Sequence, residues 1–294
     1  MNVVQVGLGN NATFLQNLAG TKEEWDPHIK WLLECVSEDR PEHVSGIGVE
    51  PVEQHVRALE HGPMTRLSHV ALVQVALGEY VAHGVAVHAL TEKDKDALLQ
   101  QVRPAWRDDL GWHLEYLMNM SCVGGAHPAF EQHRRWLQRT FSVDPNLEVL
   151  RANLWSYGML AQTLNFRGCE ILIVDTEGHD AKILRSMIAH CQEQENNGFS
   201  DWPEVVQFET MSHCDKVEGK GTEWRVITQL QEVGYELVHF SHRNSQLVRK
   251  AALLCPRIHK WAGTMACRYC QKRYAFPYLS DHLGTACTLC CYGW

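Results

Sequence analysis

Asp175-Thr176-Glu177-Gly178, with Asp180 close behind, concentrates carboxylates directly after the aliphatic run Ile171 to Val174. Carboxylates in such company accept protons as general bases or attract cationic groups. Glu209 stands in the same relation to the run Val205 to Phe208. Two further stretches carry ligand chemistry. Gly7-Leu8-Gly9-Asn10-Asn11-Ala12 satisfies the loose dinucleotide fingerprint Gly-x-Gly-x-x-Ala, in which glycines admit a ligand close to the backbone at a helix amino end. Glu50-Pro51 follows the run Val44 to Val49, where nucleotide-binding α/β folds place an acid on ribose hydroxyls. Each also has a purely structural reading. Asp175 or Thr176 can cap the following helix, Glu177 and Asp180 suit the positive end of its dipole, and a glycine turn can join strand to helix without any ligand.

These residues need a scaffold that brings them together, and the hydrophobic pattern supplies one. Ile171 to Val174 reads as a strand buried on both faces, followed by Ala181, Ile183, Leu184, Met187 and Ile188 at helical spacing. Val3 to Val6 is the first strand, feeding a helix from Thr13 to Leu18. Trp25 to Cys35 is a second helix. Val44 to Val49 is the next strand and Glu53 to His61 the next helix. Glu50 lies about forty residues beyond the glycine turn, where about twenty is usual, so the helix before it is a longer excursion. Val70 to Leu77 gives a third strand ending in Ala76-Leu77-Gly78, and Gly84 to Leu90 a fourth extended piece. Between Thr91 and Pro145 the pattern is irregular and reads as long loops walling a substrate site, with Trp106, Trp112 and Trp136 packing them down. Leu147 to Ala152 is extended and Ser156 to Leu164 helical. Trp224 to Val233 is an amphipathic helix capped by Gly234, and Tyr235 to Phe240 with Gln246 to Arg249 forms a terminal hairpin. The expected class is α/β: a mostly parallel, Rossmann-like sheet over residues 1–252, then a small module over 253–294.

Composition narrows the partners. The 294 residues carry a net charge of −8, but five basic residues against Asp281 give residues 256–294 a charge of +4, leaving −12 for the rest. The large part repels nucleic acid, and only the tail attracts it. Strand-like sequence from Val3 leaves no room for a secretion signal, and the apolar stretch from His69 to Leu90 is too interrupted to span a membrane. Of eleven cysteines, five crowd into the last 28 residues, a distribution that favours reduced thiols, a metal and an intracellular address, cytoplasmic or nuclear.

The order of motifs resembles the FkbM-type methyltransferase family over about residues 3 to 250. The glycine turn, Glu50-Pro51, Ala76-Leu77-Gly78, Asp175-Thr176-Glu177-Gly178-His179-Asp180, Glu209 and the Gly234-Tyr235 hairpin follow one another as they do there. The resemblance implies a class I methyltransferase sheet using S-adenosylmethionine to methylate hydroxyl groups of sugars or other small molecules. It implies cofactor contacts at Gly7, Gly9, Asn10, Glu50, Ala76, Leu77 and Asp175. A hydroxyl acceptor must lose its proton, so Asp175, then Glu177 and Glu209, are the candidate bases; His179 is a weaker one, expected to be solvated. The family pattern Asp-x-Gly-Ala-Asn is here Gln5-x-Gly7-Leu8-Gly9, which removes an acceptor for the cofactor's methionine portion, and Asp180 replaces a Glu. Two other readings compete: an NAD-dependent oxidoreductase, allowed by Gly7-x-Gly9-x-x-Ala12 with Glu50, and an inactive fold retained as a binding module.

In the tail, Cys267-x-x-Cys270 and Cys287-x-x-Cys290 have the spacing of zinc ligands. Either these four cysteines form a ribbon, or Cys267, Cys270, His282 and Cys287 form a finger whose core residues are Tyr274 and Leu279. The finger is preferred, although eleven residues separate Cys270 from His282 where twelve is usual. Disulfides or unpaired thiols are the alternative. Zinc supplies about 10–16 kcal/mol of apparent binding free energy, which so small a piece needs in order to fold. Its basic charge and Tyr269, Tyr274 and Tyr278 suit docking on nucleic acid or protein.

Overall fold

The computed structural model describes residues 2–9, 12, 45–62, 69–240 and 243–249. Strand β1 (Asn2–Val6) pairs in parallel with β2 (Ser45–Val49) on one side and with β8 (Ile171–Val174) on the other. Adding β3 (Val70–Val73), β9 (Val205–Glu209), β10 (Tyr235–Phe240) and β11 (Asn244–Arg249) gives a seven-stranded sheet in the order β10-β11-β9-β8-β1-β2-β3. Five strands are mutually parallel, and β11 runs antiparallel to both β9 and β10. This is the mostly parallel sheet with a final antiparallel hairpin that the sequence predicts. All four residues of β8 are buried, as a central parallel strand requires.

Helix α1 (Glu53–Glu60) follows β2 and buries Val56 and Leu59. The third strand does not run to Leu77. At Val73 the chain leaves the sheet through a tight turn, Val75 N–H donating to the Val73 carbonyl at 3.1 Å, and β4 (Ala76–Gly78) starts a second sheet. There it pairs with β7 (Glu148–Ser156), which pairs with β5 (Ala82–Ala89), which in turn meets β6 (Cys122–Val123). An apolar stretch across 70–77, broken only by Gln74, conceals this change of sheet.

Residues 91–145 are not loops. They hold α2 (Glu92–Gln100), α3 (Arg107–Met118) and α4 (Pro128–Phe141). Thr91 caps α2 by accepting the Asp94 N–H, and His127 Nδ1 caps α4 by accepting the Ala129 N–H, with Pro128 at its first position. Their apolar faces meet one another: Leu98, Leu110, Leu114, Leu117, Met118, Leu137 and Phe141 form a core of their own, distinct from that under the main sheet. Trp136 packs against it, but Trp112 is 66% exposed and lies parallel to Tyr116, centroids 6.3 Å apart.

Helix α5 (Tyr157–Leu164) is capped by Ser156, and α6 (Asp180–Asn196) buries Ala181, Ile183, Leu184, Met187 and Ile188 as their spacing predicts. Between β9 and β10 lie α7 (His213–Glu218) and α8 (Thr222–Glu232), the latter burying Val226, Ile227 and Leu230. Among the described residues no helix is long and apolar enough to cross a membrane. The helices expected at 13–18 and 25–35, Asn10, and the zinc module at 253–294 lie outside the described residues.

Candidate functional site

The carboxyl ends of β1, β2 and β8, together with β4, surround a cleft that opens to solvent. It is lined by Gly7, Gly9, Glu50, Ala76, Leu77, Asp175 and Glu177, seven of the residues singled out from sequence. Gly7 fixes the geometry. Its φ is +80°, and a Cβ there would lie 1.7 Å from the Asp175 carbonyl oxygen, so the first turn and the turn after β8 touch backbone to backbone.

Glu50 is 2% exposed, and its carboxylate is heavily engaged. One oxygen accepts the N–H groups of Leu8 at 3.2 Å and Gly9 at 3.0 Å; the other accepts Val52 N–H at 3.0 Å and meets His55 Nδ1 at 3.2 Å. The residue lines the cleft, yet its first task is to hold the glycine turn. Gln5 assists, donating from Nε2 to the Gly7 carbonyl at 3.4 Å. Where the family resemblance calls for an acceptor facing a cofactor, this chain has a side chain turned onto the turn itself.

Asp175, Glu177 and Glu209 converge, with carboxylate oxygens within 4.8 Å of one another. Burial of the carboxyl among its neighbours, then the charges of Glu209, Glu177 and Asp180, push Asp175 upward, although the residue as a whole is exposed at the cleft, which weakens the effect. Burial also raises Glu209. Neither Asp175 nor Thr176 caps the helix: His179 stands at the N-cap without a side-chain capping bond, and Asp180, at the first helical position, holds the turn, its Oδ2 accepting the Thr176 hydroxyl at 3.0 Å and the Gly178 N–H at 3.2 Å. Burial pushes this carboxyl to about 7. Glu177 adopts the left-handed φ of +54°, a strained conformation typical of functional turns. Gly178 makes that turn possible, because a Cβ would meet Val217 Cγ2 at 2.7 Å and the His213 carbonyl at 3.0 Å.

Two histidines that sequence reasoning did not single out complete this cluster. His213 Nδ1 lies 2.8 Å from Glu209 Oε2 and 3.0 Å from Glu177 Oε2. Burial opposes its charge, but the two carboxylates prevail and raise it to about 10. The His127 ring stands edge-on to that of His213, centroids 4.3 Å apart, with Nε2 3.9 Å from Glu177 Oε2. Burial pulls His127 down to about 4. Their signals in the sequence are slight: His213 follows Glu209 by four residues, and His127 precedes a proline. His179, expected in solvent, is 6% exposed and lines the cleft, and burial lowers it to about 4. Asn119, Ser121 and Val123, from the connection between α3 and α4, form the opposite wall.

Glu223 supports this arrangement from below and allows a pH test. Burial and the nearby Asp215 raise it to about 7, against backbone N–H groups of Ser212 and Cys214 and the charge of His213, which lower it. Because the folded value exceeds the unfolded one, the contribution of Glu223 to stability is complete below about pH 4.5 and lost as pH rises through 7. Glu223→Gln is expected to stabilise the protein by roughly 1–3 kcal/mol at pH 8 and by little at pH 4.5, measured by urea unfolding at both.

Compared with known proteins, the chain matches no family model and no curated protein. Among solved structures it is similar to the fibrillarin pre-rRNA processing protein of Methanococcus jannaschii, at a TM-score of 0.34 and 6% identity. The alignment covers 85% of this chain and 66% of that one.

Proposed function

We propose that this chain is a methyltransferase that takes a methyl group from S-adenosylmethionine and transfers it to a hydroxyl of a sugar or other small molecule. The observation that carries the reading is convergence. Gly7 and Gly9, Glu50, Ala76 and Leu77, and Asp175 and Glu177 arrive from four distant stretches of sequence and line one cleft at the carboxyl edge of the sheet.

The lining fits the cofactor. Val75, Ala76, Leu77 and Val123 offer an apolar wall for a flat base, and the carboxylates of Asp175 and Glu177 suit a cationic ligand. S-adenosylmethionine supplies an electrophilic methyl on a sulfonium, whose C–S bond breaks as the new C–O bond forms. The chain aligns the acceptor and removes its proton. A carboxyl raised above its usual range, as Asp175 is, matches a general base better than an ordinary one. Alignment of two bound reactants contributes up to roughly 7–11 kcal/mol. The exposed Trp112–Tyr116 pair supports a sugar acceptor; Tyr116 is raised by burial and by the charges of Glu177 and Glu209, so it belongs to the same neighbourhood.

Nicotinamide chemistry is disfavoured. A dinucleotide's pyrophosphate needs the turn's free N–H groups, and the Leu8 and Gly9 N–H groups are held by the Glu50 carboxylate beside further carboxylates. The test is a calorimetric titration of the full chain with S-adenosylhomocysteine and with NAD. Micromolar binding of the first alone is expected. Folded protein that binds neither, or binds NAD instead, would overturn the reading.

A further inference from the structure

We propose that Glu177, Glu209, His213 and His127 form a binding site for one divalent transition-metal ion at the edge of the cleft. Ligands held at right angles about 2.1 Å from an ion lie about 3 Å from one another. The donor atoms of His127, Glu177 and His213 lie within 4.8 Å of one another, and Glu209 joins them through His213: His213 Nδ1 is 2.8 Å from Glu209 Oε2 and 3.0 Å from Glu177 Oε2, and His127 Nε2 is 3.9 Å from Glu177 Oε2. Asp175 brings a further carboxylate oxygen within 4.8 Å of those of Glu177 and Glu209.

Unmet valence points to the same place. His127 is 1% exposed, and its Nε2 has no hydrogen-bond partner. Glu177 Oε2 has none either: the His213 nitrogen stands 3.0 Å away, but Glu209 accepts its N–H. Two buried polar atoms 3.9 Å apart, neither with a hydrogen bond, each carry a desolvation cost that a shared cation removes. Ligation through Nε2 moves the His127 proton to Nδ1, so the capping bond from Ala129 N–H is given up. Ala129 is only half-buried, and water can take that N–H. Ligation through His213 Nδ1 displaces the proton that Glu209 accepts, which leaves to solvent as the ion takes over the neutralisation of both carboxylates.

Mixed imidazole and carboxylate donors favour Mn²⁺, Fe²⁺ or Zn²⁺ over Mg²⁺ and Ca²⁺, which prefer oxygen alone. An ion here borders the cleft through Glu177 and Asp175, where it would lower the pKa of an acceptor hydroxyl. That consequence rests on the methyltransferase reading; the binding does not.

The experiment is a Mn²⁺ titration of the full chain followed by electron paramagnetic resonance, without S-adenosylmethionine or its product, so that failure of the cofactor reading leaves the result intact. One bound Mn²⁺ per chain is expected. Affinity should fall at least tenfold in Glu209→Gln and in His213→Ala, both checked for folding by circular dichroism, and stay unchanged in Glu60→Gln, an exposed carboxylate at the end of α1. No binding by folded wild-type protein, or binding unaffected in Glu209→Gln, would overturn the site. Equal competition by Mg²⁺ would overturn the choice of ion.

Discussion

Gly7→Ala is expected to cost more than about 4 kcal/mol of folding stability, the range reserved for substitutions that the structure cannot absorb. The conformational part is modest: an alanine at φ +80° costs roughly 1–3 kcal/mol. The larger part is contact. The new Cβ would lie 1.7 Å from the Asp175 carbonyl oxygen and 2.7 Å from its carbon, and both are backbone. No rotamer relieves that clash, so the end of β1 must part from β8, where Asp175 N–H bonds the Val6 carbonyl, or from β2, where Gly7 N–H bonds the Val49 carbonyl, each at 2.9 Å. Urea unfolding should show a much lower midpoint or no cooperative transition, and S-adenosylhomocysteine binding should disappear with it. A variant of near wild-type stability would mean that the two turns are not in backbone contact.

Glu50→Gln should produce the second largest effect, in stability as well as in ligand affinity. The carboxylate takes four donors on two oxygens. A carboxamide keeps one acceptor and turns its NH2 toward either the Leu8 and Gly9 N–H groups or the Val52 N–H and His55. One or two buried donors lose their partner, at about 1–3 kcal/mol each. Thermal unfolding should drop by several degrees and cofactor affinity by more than tenfold. Retained stability with lost affinity would assign the carboxylate to the ligand rather than to the turn. Glu50→Ala cannot separate these roles, since it removes every acceptor at once.

The two halves of the chain differ in how openly their sequence speaks. Buried parallel strands announce themselves as uninterrupted aliphatic runs, so Val3 to Val6, Ile171 to Val174 and Val205 to Phe208 are legible, and the acids after them are placed correctly at the carboxyl edge. The helices from Glu92 to Phe141 read as loops because their apolar stripes are narrow and interrupted by charge, aromatic residues and histidines; Lys93 to Asp96 is simply the exposed start of a capped helix. The second sheet was hidden for another reason: β4 pairs with β7, more than seventy residues away, and no local period records such a pairing. His213 and His127 escaped notice because a single histidine on a short helix or before a proline has no spacing to interpret. Only the fold, bringing β9, α7 and the start of α4 together, gives them meaning.

The separate core of α2, α3 and α4 also sets a clock. The wall that they contribute, at Asn119, Ser121 and Val123, is held by contacts that do not belong to the core beneath the main sheet. A unit with its own core opens with its own free energy, lower than that of global unfolding. If the wall opens in this way, ligand release from the cleft is expected to slow when the helical core is stabilised, which stopped-flow dissociation of S-adenosylhomocysteine would measure. The sheet can remain intact through every such excursion, and amide exchange across the chain would divide into a fast class and a slow one along the same boundary.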